Sequence, residues 1–383
     1  MRGQALYSSR WATFATFFAN GFGFGAWASA IAPLKQMLSL SAASLSYALL
    51  AMAIGGVLGM QPTSWIIQRL GGTGRATRLG GFAFTVALAL PLLAPNLIVL
   101  ILATALLGAC VSVMDVSMNA HASYVERQWG SPIMSSLHAG WSLGGFAGTG
   151  FGALMLTLRL PTPALMLPAA AVVLAIVLAA TPHLGPGEAH RAPSGMFLRL
   201  PEKGLVGLAA IVTFCFLIEG AMADWSGIYL TTIGETTARA AAGYAAFSAL
   251  MVVGRLVGDR IVHRFGRSAV ITAGAATAAI GLTLATAVPN IVAVVAGFAL
   301  VGAGLSNVVP CVFSASAALG STPAAGIATT STAGYAGLLA GPPLIGAVAA
   351  HFGMRTGMGL VAVAAAVAVA ISLKFRSVRA VRN

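Results

Sequence analysis

Twelve apolar runs separated by short polar breaks fill almost the whole chain. They lie near 11 to 34, 44 to 67, 79 to 95, 97 to 122, 133 to 157 and 162 to 181, then near 205 to 232, 240 to 263, 268 to 288, 290 to 316, 324 to 350 and 357 to 374. About 20 apolar residues in a helix cross the hydrocarbon core of a bilayer. Lipid offers no partner to backbone N–H and C=O groups, so a spanning segment of this length must be helical to satisfy them itself. The expectation is an all-α polytopic membrane protein with twelve transmembrane helices. Charge agrees, since only 8% of the 383 residues are charged, against about 25% in a soluble domain. The mean hydropathy is +0.91.

The excess of 21 Lys and Arg over 8 Asp and Glu reads as topology. With the N-terminus in the cytoplasm, seventeen basic residues, among them Arg69, Arg75, Arg78, Arg127, Arg260 and Arg264, fall in inner loops or ends. Four, Lys35, Arg159, Arg239 and Arg355, fall outside. That asymmetry is the positive-inside rule, and it places both termini in the cytoplasm of a multi-pass protein. It also accounts for the basic charge without nucleic acid, for which no soluble segment is long enough. The basic start MRGQALYSSR runs into an apolar segment without a small-residue cleavage site, which predicts a retained first span. Cys110, Cys215 and Cys311 sit in apolar runs without metal spacing and read as small buried residues. No metal and no cofactor is expected.

Six runs precede the polar stretch HLGPGEAHRAPSGMFLRLPEKG and six follow it. Its Pro, Gly and charge content marks a linker. The predicted division is an N-terminal six-helix bundle over 1–182, a cytoplasmic linker over 183–204 and a C-terminal six-helix bundle over 205–383. The halves match internally. Pro95-Asn96 separates the third and fourth runs, and Pro289-Asn290 the ninth and tenth. Gly59, Ser64, Arg69 and Gly71 recur 195 positions later as Gly254, Asp259, Arg264 and Gly266. Duplicated bundles are what a carrier rocking about a central site requires.

The loop GRLVGDRIVHRFGR from Gly254 to Arg267 resembles the loop motif of the major facilitator superfamily. The resemblance implies that family's fold, two pseudo-symmetric six-helix bundles working as a monomer. It further implies that Gly254 permits a helix contact and that Asp259, Arg260 and Arg264 form a cytoplasmic gate. The first copy departs from the pattern, with Ser64 in place of the acid. MDVSMNAHASYVERQWGSPIMSSLHAGWSLGG and GPPLIG over Gly341 to Gly346 are similar to a bacterial inner-membrane subgroup distantly like fucose-type sugar permeases. The span-four arginine and the span-five glycine-proline signature of drug-proton antiporters are absent, although Gly337 and Gly341-Pro342 partly echo the latter in span eleven.

By that resemblance spans one, four, seven and ten line the cavity, and each carries polar residues at mid-depth: Asn20 with Phe24 and Trp27, Asp115 with Asn119, Glu219 and Asp224 with Trp225, and Asn307 beside Pro310. Ser112, Asp115 and Asn119 form one stripe at helical spacing. Ionisable residues inside spans mark solute or proton paths. Burial disfavours a charged carboxylate, so Glu219 and Asp115, with Asp224 further out, are the expected proton-coupling residues. Glu219 and Asp224 are five residues apart and on different faces. Asn20, Asn119 and Asn307 supply the amide donors and acceptors that hydroxyl-rich solutes use; the same groups also serve as interhelical hydrogen bonds. Trp27, Trp141 and Trp225 offer stacking faces, and Tyr335 a phenol. His138 reads as a packing histidine, and Trp65 and Trp129 as interface anchors. Glu126 and Arg127 read as capping the end of span four. Arg255 pairs most simply with Asp259, four residues on. Carboxylates, amides and aromatics without a guanidinium suit a neutral polar or cationic solute.

The chain therefore reads as a secondary transporter of a small solute, sugar-like favoured and proton-coupled. An exporter of drugs or metabolites and a transport-dead membrane sensor are the rival readings. Neither a nucleophile with its base nor an acid pair with metal spacing supports an enzyme. The orientation is checked by fusing reporters to the C-terminus in a bacterial host. Green fluorescent protein should fluoresce and alkaline phosphatase should be inactive; the opposite pair of results would invert the topology.

Overall fold

The computed structural model describes residues 2–40, 42–189 and 204–380; most of the predicted linker, residues 190–203, lies outside them. The helices are α1 (Arg2–Met37), α2 (Ala42–Met60), α3 (Thr63–Leu70), α4 (Thr73–Ala89), α5 (Leu97–Trp129), α6 (Met134–Thr157) and α7 (Met166–Ala180) in the first half. In the second they are α8 (Val206–Thr232), α9 (Thr237–Phe265), α10 (Arg267–Ala287), α11 (Ile291–Leu305), α12 (Val308–Leu319), α13 (Pro323–Phe352) and α14 (Met354–Ala380). Among the described residues, eight helical segments are long and apolar enough to cross a bilayer, the continuous run through α11 and α12 counting as one. They become nine when α2 and α3, bent by 49°, form one span. With the longer but more glycine-rich or polar α1, α6 and α9, this gives twelve rods.

The breaks within rods follow local chemistry. Pro62 stands between α2 and α3, where its missing N–H and fixed φ end the helix behind it. The chain between α11 and α12 is interrupted at Ser306 and Asn307. The repeated Pro-Asn turns are helix starts. Asn96 accepts from the Val99 N–H at 3.1 Å, and Asn290 from the Ala293 N–H at 2.9 Å, each satisfying one orphan donor of α5 or α11.

The rods gather into two units. The first is Met1–Ser131, Leu137–Arg199 and Ser321–Ala328; the second is Pro132–Ser136, Leu200–Gly320 and Thr329–Asn383. Inside the first unit α1 and α6 meet backbone to backbone. A Cβ on Gly21 or Gly25 would strike the carbonyl oxygen of Trp141 or Gly145, and one on Gly144 or Gly148 would strike that of Phe18 or Phe22. Inside the second unit a Cβ on Gly337 of α13 would strike the Thr213 carbonyl of α8. The second seam repeats as well, with Gly108 on the Met52 carbonyl in one half and Gly302 on the Phe247 carbonyl in the other. Lipid gives apolar helices no reason to associate, so this close approach, with its dispersion and C–H contacts, is what holds the rods together. A buried Tyr229 hydroxyl donating to the Ala285 carbonyl at 2.9 Å ties α8 to α10.

The start of the linker is built into the first unit. Thr73 N–H donates to the Glu188 carbonyl and Gly74 N–H to the Pro186 carbonyl, both at 3.0 Å. Glu188 N–H donates to the Thr73 hydroxyl at 3.2 Å, and the Glu188 carboxylate pairs with Arg127. These bonds give the N-terminus of α4, which has no side-chain cap, the partners its first N–H groups lack. Gly185 and Gly187 make the path possible, with φ of 68° and 72°, a region open to glycine. Arg127 thus ties the strap to α5, where it also donates to the Ser123 hydroxyl at 2.9 Å, and Gly130 ends that helix in a left-handed conformation at φ 76°.

Gly144→Val should lower the thermal unfolding temperature of the purified protein strongly, by an overpacking cost of about 1–3 kcal/mol. Gly150→Ala, where nothing lies within 4 Å of the added Cβ, should leave it unchanged. Equal shifts for the two would show that backbone proximity does not hold α1 to α6.

Candidate functional site

In the first unit the polar residues expected on spans one and four join with two residues of α6. The Asn119 amide donates to the Asp115 carbonyl at 2.9 Å and to its carboxylate at 3.1 Å. The Asn119 oxygen meets His138 Nε2 at 3.2 Å; because the amide nitrogen is spent on Asp115, this oxygen is the acceptor and the imidazole the donor. The His138 ring packs edge-on against Phe17, with centroids 5.1 Å apart. One turn further along α6, the Trp141 indole N–H donates to the Asn20 oxygen at 2.9 Å, and its ring tilts 36° to that of Phe24 at 6.1 Å. Phe17, Asn20 and Phe24 share a face of α1, which is why one side of α6 can meet all three.

The result is a ribbon of carboxylate, amide, imidazole, indole and amide across α5, α6 and α1. Asn20 is 2% exposed and its amide nitrogen donates to no described residue, a spare donor at the end of the ribbon. Ser112, on the same stripe as Asp115, is buried with its hydroxyl unpartnered among the described residues. His138 is the member that sequence reasoning underrates: it sits nineteen positions from Asn119, a separation at which no helical spacing signals contact. Trp27 is as buried as Asn20 and differs from Phe24. It is 3% exposed and packed in the core, whereas Phe24 is 40% exposed, so the predicted aromatic face on span one is offered by Phe24.

In the second unit Glu219 is partly buried, and its Oε1 accepts no hydrogen bond among the described residues. Asp224, five residues on, is exposed, so the two acids occupy different surroundings, as their spacing requires. The Trp225 indole N–H is buried without a partner among the described residues, and its ring borders Gly346. Tyr335 stands 6.2 Å from Phe216, ring to ring. Asn307 sits at the α11–α12 interruption, donating to the Gly254 carbonyl and the Ser306 hydroxyl, both at 2.9 Å. Gly254 and Gly258 make room for that pair: Cβ atoms there would strike Ser306 Oγ and Asn307 Oδ1. Of the residues predicted to form a gate, Asp259 accepts from the Ser136 N–H at 3.2 and 3.3 Å. That N–H lies in the first turn of α6, where a carboxylate is favoured. Arg260 is exposed, and Arg264 lies over the Phe265 ring at 5.5 Å. Arg255 is 6% exposed and donates through Nε to the Ser306 carbonyl at 3.3 Å.

Two units built of helices long and apolar enough to cross a bilayer define a polytopic membrane protein. The chain belongs to the major facilitator superfamily, whose family model matches residues 12–329 and 244–383. It is similar to an uncharacterized transporter of this family from Yersinia pestis, 37% identical over 94% of both chains. It is also similar to the membrane protein MosC of Rhizobium meliloti, 33% identical over 88% of this chain and 83% of that one. Among solved structures it shares its fold with the fucose:proton symporter FucP of E. coli, at a TM-score of 0.76 and 15% identity, covering 96% of this chain and 98% of the other. A bacterial homologue of the iron transporter ferroportin superposes at 0.77, with 12% identity and 96% and 99% covered. Members of the family transport small solutes across membranes, so the chain is a multi-pass membrane transporter.

Asn20→Leu removes the acceptor of the Trp141 indole. It should destabilise the first unit by about 1–3 kcal/mol, the cost of a buried donor left unpaired. Differential scanning fluorimetry should register that loss, and it should vanish when Trp141→Phe is already present; additive losses would mean the bond contributes nothing.

Proposed function

We propose that the chain carries a small polar solute, neutral or cationic and most readily sugar-like, in symport with protons across the cell inner membrane. It works as a monomer, with both termini cytoplasmic and the bundles 1–182 and 205–383 alternating access. Glu219 carries this reading: its carboxyl oxygen is held inside a spanning helix without a hydrogen bond from any described residue. A carboxylate kept there at that desolvation cost is more useful as a proton carrier than as structural glue. Asp115 is the corresponding acid of the first unit, and Asp224, exposed, would contribute at the entrance to its span.

The solute would meet the amides of Asn20, Asn119 and Asn307 and the rings of Trp141, Trp225, Phe24 and Tyr335. Trp27 would act from behind by packing. A hydroxyl-rich ring pairs its edges with amides and its faces with aromatics, which supports a sugar-like solute, as does the likeness in fold to FucP, a fucose:proton symporter. Gly254 with Asp259, Arg260 and Arg264 would form the cytoplasmic gate. A proton or solute shifts the equilibrium between inward and outward states only by binding one of them better. Neutralising Glu219 is one way to create that difference.

A thermal-shift screen of purified protein against sugars, amines, nucleosides and amino acids should find a stabilising solute, since a ligand of the native state raises apparent stability. In proteoliposomes an inward proton gradient should drive its accumulation. Glu219→Gln or Asp115→Asn should abolish accumulation while sparing exchange. Full accumulation in both variants would refute the coupling, and accumulation only in inside-out vesicles would make the protein an exporter.

A further inference from the structure

Four aromatic rings and one cation gather where α1 begins and α5 ends. The Arg10 guanidinium carbon lies 4.5 Å from the centroid of the Trp129 ring, a contact between two helices. Trp129 also meets Tyr7, with centroids 6.2 Å apart, and from Tyr7 the ring contacts continue to Trp11 at 6.3 Å and on to Phe14 at 5.5 Å. One end of this chain of rings is fixed, since Phe14 fills the space over Gly140 of α6 that a side chain there would take. The other end is open: Tyr7 is 55% exposed and Trp11 52%. The depth is that of the bilayer surface. Arg10 immediately precedes the first apolar run, and Trp129 is the last residue of α5, beyond the apolar run of that helix. Tryptophan and tyrosine collect at such a surface in any membrane protein, and two exposed rings alone would be only that. The arginine is what an aromatic belt does not explain. Among the described residues Arg10 forms no ion pair and donates no hydrogen bond. The sequence of α1 contains no acidic residue, the Glu188 carboxylate is paired with Arg127, and Glu126 is buried. A guanidinium stacked by its face keeps its N–H edge for a partner, and that planar fork matches two oxygens of a phosphate at once. The Tyr7 hydroxyl and the Trp11 indole N–H likewise make no hydrogen bond among the described residues.

We propose that Arg10, stacked on Trp129 beside Tyr7 and Trp11, binds the headgroup phosphate of an anionic phospholipid, which thereby bridges α1 and α5. The phosphate oxygens take the edge of the guanidinium, while Trp129 fixes its plane. The exposed rings of Tyr7 and Trp11 cover the glycerol and the first methylenes of the lipid, the kind of contact that amphipathic rings make where one side is apolar and the other wet. Charge decides between lipids. A zwitterionic headgroup brings an ammonium that finds no carboxylate in the cluster, whereas an anionic one brings only the charge that the arginine lacks. A single basic residue at the surface of an anionic leaflet is enough to shift lipid affinity measurably. None of the carboxylates and amides of the candidate site takes part. Trp65 and Arg69 provide an internal control. There too a guanidinium carbon lies 5.4 Å from an indole ring, but both residues belong to the single short helix α3, and no other ring packs on them among the described residues.

Full-length protein purified in detergent is titrated with dioleoylphosphatidylglycerol and, separately, with dioleoylphosphatidylcholine, and bound lipid is counted by native mass spectrometry. The parent should hold one phosphatidylglycerol about fivefold more tightly than phosphatidylcholine, the factor that corresponds to one basic residue at an anionic surface. Arg10→Gln should remove that preference, and Arg10→Lys, which keeps the charge without the fork, should retain only part of it. Trp129→Leu should weaken it, because the guanidinium loses the ring that orients it. Arg69→Gln should leave it unchanged. If Arg10→Gln or Trp129→Leu does not fold, Arg10→Lys together with Tyr7→Ala, a change at an exposed position, carries the test, and the pair should bind phosphatidylglycerol less tightly than the parent. Equal affinity of the parent for the two lipids would reduce the cluster to an aromatic belt. Equal losses in the Arg10 and Arg69 variants would make the attraction one of diffuse surface charge, and a preference that survives the Arg10 variants would place the lipid elsewhere. Each of these three results overturns the inference.

Discussion

Close approach of backbones is the condition on which this molecule rests. Hydrocarbon does not drive apolar helices together, so association has to come from contacts that lipid cannot make as well. The glycines of α1, α5, α6, α11 and α13 supply them by removing the side chain that would keep two backbones apart. Because the approach is that near, side chains one turn away are brought into hydrogen-bonding range. Trp141 reaches Asn20 beside the contact of Gly21 with the Trp141 carbonyl, and Asn307 reaches Gly254 in a space that a larger residue at 254 or 258 would fill. The polar groups within the spans are thus a by-product of the seams as much as a cause of them.

Much of the fold is legible in the chain because its causes are local. Apolar length announces each span and the Pro-Asn pairs announce the turns between them, whereas the bend at Pro62 falls inside the single run expected near 44 to 67. The spacing of Asp115 and Asn119 likewise announces their hydrogen bond. What stays hidden depends on partners far apart in sequence. His138 looks like packing until α5 is placed beside α6. Arg255 gives no sign in the sequence of the Ser306 carbonyl it serves, which lies 51 positions away at the interruption of span ten. The strap of residues 184–188 looks like linker, since nothing in a Gly-Pro-Gly-Glu run states that an uncapped helix elsewhere will accept it.

The two units solve one packing problem twice and diverge where chemistry is concerned. Gly108 on Met52 and Gly302 on Phe247 are the same seam, as are Gly144 on Phe18 and Gly337 on Thr213. Around these shared seams, the first unit carries an amide-linked acid, Asp115, bonded through Asn119 to an imidazole. The second carries Glu219, whose Oε1 accepts no hydrogen bond among the described residues.

The duplicated Asn96 and Asn290 starts have a consequence of their own. Identical turns made by identical residues at equivalent places amount to an internal standard: whatever a perturbation does at one, the other reports what the same loss does in a different half. Where the paired responses agree, the bundle is behaving as scaffold. Where they part, the difference locates the half whose packing has diverged from the shared plan.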